Sequence, residues 1–181
     1  MARRGQRSAL AAIGVVAALL LTSCTQGSSG SRAHLYESID DLVGDSRAIV
    51  RGWVQGSAAV DVNGMAFTAF SFTIHEQFFP EGLGQTRLDE GAEPFDVTEL
   101  ETNQIIIRQV SRSNALSAFP LVPEMEYLLF LVPTELEGDP DDTFYITGAV
   151  AGMYMAEDDG FIRMSNEDPD LPSVLLPEQL Y

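Results

Sequence analysis

Residues 65–79 read MAFTAFSFTIHEQFF, and this stretch decides the fold. Phe70, Phe72 and Ile74 share one side of a two-residue alternation, while Ser71, Thr73 and His75 share the other. That period belongs to a strand with one face in a core, because successive side chains of a strand point to opposite faces. Just upstream, Asp61-Val62-Asn63-Gly64 contains the Asn-Gly pair that favours a two-residue hairpin turn. Segment 48–55 (AIVRGWVQ), continued to Asp61, is therefore predicted to run back along the Phe-rich strand. Downstream, 103–110 (NQIIIRQV) predicts a third strand, and the continuously apolar 126–133 (EYLLFLVP) predicts a central strand buried on both faces. Segments 143–150 (TFYITGAV) and 152–156 (GMYMA) predict two more strands, and 161–164 (FIRM) folds back across a turn at Glu157-Asp158-Asp159-Gly160.

Helical signals are few. Leu35, Ile39, Leu42 and Val43 are spaced i, i+4, i+7, i+8 and predict a short amphipathic helix over 35–46 stopping at Gly44, with one helical turn at 173–176. Residues 80–102 are rich in Gly, Pro and acids and have few apolar anchors, so a long, poorly ordered loop is expected. Segments 111–125 and 134–142 read as irregular connections. Residues 35–181 are thus predicted to form a single mainly-β domain, a small antiparallel β-barrel with one or two short helices. Its core should include Val50, Phe70, Phe72, Leu129 and Leu131.

The start of the chain is of a different kind. Residues 2–8 (ARRGQRS) are basic and 9–21 (ALAAIGVVAALLL) are apolar. Thirteen residues at 1.5 Å each give about 20 Å of helix, short of the roughly 30 Å hydrocarbon core. This pattern fits a secretory signal peptide better than a permanent span. The run ends in Leu21-Thr22-Ser23-Cys24, which resembles the lipobox of bacterial lipoproteins. The resemblance implies that residues 1–23 are removed as a signal peptide and that the Cys24 thiol takes a diacylglyceryl group. Acylation of the new amino terminus, with palmitate-type chains, would complete a membrane anchor. Arg3-Arg4 is followed by Gly5 and Gln6, not the apolar residues of a twin-arginine signal, so general secretion is the expectation. Residues 25–33 (TQGSSGSRA) are rich in Gly and Ser and read as a flexible tether. A coil of this kind spans between about 15 Å and about 18 Å on average. With Cys24 and His34 it makes a lipidated linker over 24–34, holding the domain at the outer face of the cell membrane.

All ten basic residues are arginine, and three of them precede Cys24; the 27 acids all lie at Glu37 or later. Residues 24–181 therefore carry 7 arginines against 27 acids, a formal charge of −20. Such a surface excludes nucleic acid, which needs basic groups to displace phosphate counterions. Anionic headgroups would also repel it, favouring an outward stance from the membrane. Cys24 is the sole cysteine, so no intrachain disulfide or multi-cysteine zinc site can form.

The order of elements is also familiar. An acidic helix end, then Ala48-Ile49-Val50-Arg51-Gly52-Trp53-Val54, the Phe-rich strand, Ile105–Ile107 and Glu126-Tyr127-Leu128-Leu129-Phe130-Leu131, is similar to the OB-fold barrels of the netrin-like and tissue-inhibitor-of-metalloproteinases superfamily. It also looks like actinobacterial lipoproteins of this layout. The resemblance implies an OB-like fold over roughly 38–164. Inhibition does not follow from it, because the metal-binding cysteine of those inhibitors is replaced here by one expected to carry lipid.

Chemistry-bearing residues are sparse. His75 with Ser71 or Ser111 would be the only hydrolase pairing, and no Gly-x-Ser-x-Gly elbow accompanies it. Asp139–Asp142, Glu157–Asp159 and Glu167–Asp170 are acidic clusters without EF-hand spacing, better explained as turns than as calcium sites. Arg51, Arg108 and Arg163 should pair with acids across the sheet. Trp53, Phe67, Phe70 and Phe72 could form an aromatic ligand platform, though alternation places Phe70 and Phe72 in the core. No catalytic, cofactor-binding or metal-binding residue is therefore predicted, and lipidation at Cys24 is the one site. The expected function is a non-enzymatic binding module at the outer face of the membrane, with an extracytoplasmic protein or ligand as partner. A cell-envelope enzyme or its accessory subunit, and a calcium-stabilised spacer, are the alternatives.

Overall fold

A computed structural model of the chain describes residues 35–86, 94–111, 119–136, 138–166 and 168–181. Cys24, its lipobox, the apolar run, the tether and His34 lie outside the described residues, as do 87–93 of the long loop.

The hairpin comes first in the chain's logic. Strands β1 (Ala48–Val62) and β2 (Met65–Phe78) pair antiparallel. They are joined through Asn63-Gly64, whose φ angles of 54° and 82° are those a two-residue turn of this twist demands. The Asp61 side chain accepts the Gly64 amide and fixes the turn. Strand β3 (Gln104–Val110) joins β2, and β4 (Glu126–Pro133) joins the other edge of β1. Strand β5 (Thr143–Ile146) lies between β3 and β4, so the order β1-β2-β3-β5-β4 returns to β1. This is a barrel-like ring of five strands.

One pairing in the ring departs from the all-antiparallel expectation: β3 and β5 run parallel, with Ile106 opposite Thr143 and Arg108 opposite Tyr145. Topology requires it. Five strands that alternate in direction cannot close on themselves without one parallel pair. Outside the ring, β6 (Met153–Glu157), β7 (Gly160–Arg163) and β8 (Val174–Leu175) form a ribbon that extends the sheet from β4.

Two cores result. Val50, Phe70, Phe72, Leu129 and Leu131 fill the ring with Val54, Ile107 and Phe144, as the alternation predicts. Strand β4 faces both cores, since Leu128 and Phe130 point outward into a second one built with α1 (Ile39–Gly44), Phe78, Tyr154, Phe161 and Leu180. This explains why 126–133 is continuously apolar.

Helix α1 is shorter than 35–46. The Ser38 hydroxyl accepts the Asp41 amide as an N-cap. The Tyr36 amide donates to Asp168 Oδ1, so the chain before Ser38 is tied elsewhere and Leu35 is exposed. The strand expected over 143–150 stops at Ile146, because Gly148 and Ala149 turn the chain with φ of 59° and 57° and the Thr147 amide donates to Phe130 O. The expected helical turn at 173–176 is instead β8, followed by a 3-10 turn over Pro177–Leu180.

The 80–102 segment also corrects its expectation wherever it is described. Leu83 is buried in the outer core, and the Gly84 and Thr86 amides bond the carbonyls of Val43 and Gly44. Phe95 meets Phe144 edge-on at 5.0 Å, while Gln77 bridges Phe95 O and the Val97 amide. The described apolar residues are few, but Leu83, Phe95, Val97 and Leu100 all pack against a core.

Tyr154 offers a test of the outer core. It is fully buried, and burial pushes its phenol up to about 12. The folded chain keeps this proton up to that pH, whereas the unfolded chain releases it near 10. The stability it confers is thus complete below pH 10 and disappears as pH rises from 10 to 12, a loss of roughly 3 kcal/mol. Urea titrations at pH 9 and pH 11.5 should show Tyr154→Phe losing less stability over that interval than the parent chain. Equal losses would refute it.

Candidate functional site

The outer surface of β1, β2 and β4 gathers the polar side chains that single segments of sequence keep apart. The cause is a bulge. Arg51 stands opposite Glu76 and Gly52 opposite Ile74, so His75 is an extra residue on β2 without a partner on β1. The extra residue also switches the faces presented on either side of it: Ile74 points into the ring, and Phe78 into the outer core. Gly52 makes the crossing possible, because a Cβ there would lie 2.0 Å from the Thr73 carbonyl oxygen.

On this surface Trp53 Nε1 donates to His75 Nδ1 at 3.0 Å, and the two rings are tilted with centroids 5.9 Å apart. With Nδ1 accepting, a neutral ring keeps its proton on Nε2, which remains as its one donor. Glu126 lies behind, its Oε1 3.7 Å from His75 Nδ1 and bonded to Arg51 Nε at 2.7 Å, with Arg51 Nη2 on Oε2 at 3.3 Å. This fork raises the Arg51 guanidinium above its ordinary value. Arg51 also approaches Glu76 at 3.9 Å and packs its guanidinium over Phe161. Glu76 accepts the Tyr181 hydroxyl at 2.6 Å, which raises that phenol, and the Tyr181 ring meets Phe78.

An open cleft of about 450 Å³ adjoins His75 and Glu76, between the end of β2 and residues 97–103. Val97, Leu100 and the exposed Phe79 give it apolar walls, the Ile74 backbone lies at its base, and Glu76 and Glu101 are its charged groups. Its base is pinned by paired bonds between Ile74 and Asn103, the Ile74 amide to Asn103 O at 2.7 Å and Asn103 Nδ2 to Ile74 O at 3.1 Å. The size lies in the range of small-ligand sites, and the lining combines apolar surface with a few polar groups.

The serine pairings open to His75 do not form. Ser71 is four residues away on the same strand, roughly 13 Å at the usual strand rise. The Ser111 hydroxyl bonds Thr68 instead. Thr68 is itself seven residues from His75, roughly 23 Å along β2. The aromatic platform does not form either: Phe67, Phe70 and Phe72 are buried, and Trp53 alone stands outside beside His75.

The expectation of an acid across the sheet holds for Arg51; Arg108 meets its acid in the 134–142 turn instead. Arg51 pairs with Glu126, and Arg108 Nη1 bonds Asp139, whereas Arg163 donates to the backbone carbonyls of Asp168 and Leu171. Two acidic clusters are thereby partly committed to protein donors. Asp139 takes Arg108 and the Thr134 hydroxyl, which hold its carboxyl below the usual carboxylate range, and the buried Asp168 accepts the Tyr36 amide. Among the described residues no three acids or histidines are grouped to hold a metal ion, and no helix is long and apolar enough to cross a membrane. Glu76 stands beside His75 in the chain itself; the sequence reading missed Glu126 and Tyr181, which only the strand register, the bulge and the fold of the C-terminal turn bring to this surface. No model of a known protein family matches the chain, and no curated protein does.

Proposed function

We propose that this protein is a non-enzymatic, lipid-anchored binding module. Cys24 holds it at the outer face of the cytoplasmic membrane, and it takes its ligand in the cleft beside His75. The observation that carries the reading is the cleft itself: apolar walls from Val97 and Leu100, an exposed phenyl ring at Phe79, a base pinned by the Ile74–Asn103 bonds, the His75 ring held by Trp53, and charged groups that are both acidic. A ligand suited to it has an apolar body and a neutral or cationic head. Enzymatic readings gain nothing from the geometry, because His75 has neither Ser71 nor Ser111 within reach, and its Nδ1 is occupied by a Trp53 donor.

The test is a photo-crosslinking side chain placed at Phe79 in the full chain, in its native host. A dominant adduct should form at Phe79 and fall at least roughly tenfold when Glu101→Arg reverses the charge of the wall, as loss of a favourable charge contact requires. The same side chain at Leu35, exposed at the far end of the domain sequence, is the control. Adducts equal at both positions, or insensitive to Glu101→Arg, would refute the cleft as the binding site.

A further inference from the structure

The β1–β2 hairpin outruns the ring. Strand β4 covers the outer edge of β1 only from Ala48 to Trp53. The 124–125 turn adds one residue more, the Val54 amide donating to Met125 O at 3.2 Å and the Glu124 amide to Val54 O at 2.8 Å. Beyond this point residues 56–62 pair with β2 on one side, and among the described residues no strand pairs with 55–62 on the other. Ser57, Ala58 and Ala59 are exposed.

Sheet edges in native proteins are blunted by proline, lysine, bulges or brevity, since a row of free amides and carbonyls is a template for another strand. This edge reads QGSAAVDV. It has no proline and no basic residue, and Asp61 is its one charge. A bulge leaves Gln55 without a partner on β2 where the edge begins, and beyond it the register is unbroken from Gly56 to Val62. Exposed Val122 and Met125 stand where the edge begins, on and beside the turn that already pairs with Val54, and exposed Met65 stands at the hairpin tip. The edge is thus a backbone ladder with apolar side chains at both ends.

We infer that residues 55–62 accept an extended segment of a basic partner protein as an added strand, continuing the ladder that β4 and the 124–125 turn begin. The sign of the partner follows from charge. Asp61 and Glu124 are the ionised groups on the edge and on the turn that begins it, and residues 24–181 hold 27 acids against 7 arginines. A second copy of the chain would bring like charge against like, whereas a strand bearing lysine or arginine is attracted. The surface is independent of the cleft: its partner residues on β2 are 65–71, and the cleft uses 74–79.

The experiment uses the full chain in detergent and a nine-residue, end-capped peptide alternating valine and threonine with lysine. Binding is followed by amide hydrogen exchange, which reads the ladder directly. Peptide should slow exchange within 55–62 by about fivefold or more and leave 74–79 unchanged. Methylating alternate peptide nitrogens removes the donors a ladder needs and should weaken binding at least roughly tenfold, as should replacing lysine by glutamate at low salt. Protection at 74–79 instead of 55–62, or equal binding of all three peptides, would overturn the inference. So would concentration-dependent protection of 55–62 without peptide, which would make a second copy the occupant. Protection at 74–79 would place the peptide in the cleft beside Phe79; the other outcomes do not bear on crosslinking there.

Discussion

Asp139→Asn is expected to lower folding stability by about 2 kcal/mol, because it breaks a part-buried, charge-assisted pair and leaves the partner charge without compensation. The Arg108 and Asp139 side chains are only 11% and 9% exposed. Asp139 receives the guanidinium Nη1 and the Thr134 hydroxyl, and these two donors tie the 134–142 turn to β3 and to the end of β4. Among the described residues Arg108 Nε has no acceptor to fall back on. An asparagine oxygen can still accept one bond, but it cannot neutralise the guanidinium. The carboxyl is held below its ordinary range in the folded chain. Its contribution is therefore present above the unfolded value near 4 and fades as pH falls through and below that range. Urea midpoints at pH 7 and pH 3 should differ less in Asp139→Asn than in the parent chain. The pH 7 loss should appear as a fall in melting temperature of roughly 6 °C for a domain of this size. A loss under about 1 kcal/mol would show that the pair contributes no more than a surface contact.

The same arithmetic separates this pair from Arg51–Glu126. That fork is well formed, yet the Arg51 side chain is 36% exposed. Exposed pairs contribute about 0.2–1 kcal/mol, since water already solvates both ions. Its weight lies in position: it orients Glu126 behind His75 and Trp53, beside the cleft. Thus Arg108 and Asp139 hold the fold, whereas Arg51 and Glu126 shape a surface.

How much of this was legible in the sequence depends on whether a feature is local. The Phe70–Ile74 alternation, the Asn63-Gly64 turn and the doubly buried 126–133 strand are local patterns, and each appears where the residues place it. The parallel β3–β5 pair was not legible from any segment, because it follows from closing a five-strand ring. Val150 misled for a related reason: it is buried, as its chemistry suggests, but from a turn instead of a strand. In 80–102 the count of apolar residues understated their effect, since Leu83, Phe95 and Val97 all reach a core. The exposure of His75 was readable from alternation. Its distant neighbours were not, because a bulge of one residue decides whether Glu126 and the Tyr181 partner of Glu76 gather on the same surface.

The largest effect proposed for this protein is all-or-none and belongs to Cys24. Four features support lipidation there: the basic start, the apolar run over 9–21, the small residues Thr22 and Ser23, and the Gly/Ser tether after the cysteine. Each has a separate physical task. Positive charge holds the start at the anionic inner surface, the run enters the bilayer, small side chains admit a peptidase, and the thiolate is the nucleophile that takes the lipid. Each buried methylene adds about 0.8 kcal/mol of membrane affinity, and one acyl chain gives only reversible binding, so two or more chains are needed for a stable anchor. The domain supplies no substitute, as its charge of −20 is repelled by anionic headgroups. Cys24→Ser should therefore move the protein from complete detergent partitioning to either an uncut precursor or a soluble form cut elsewhere. Intact mass settles which, and the parent chain should exceed the mass of residues 24–181 by its acyl groups. Parent protein in the aqueous phase with an unmodified thiol would remove the anchor. The cleft beside His75 and the edge at 55–62 would then have to find their partners in free solution.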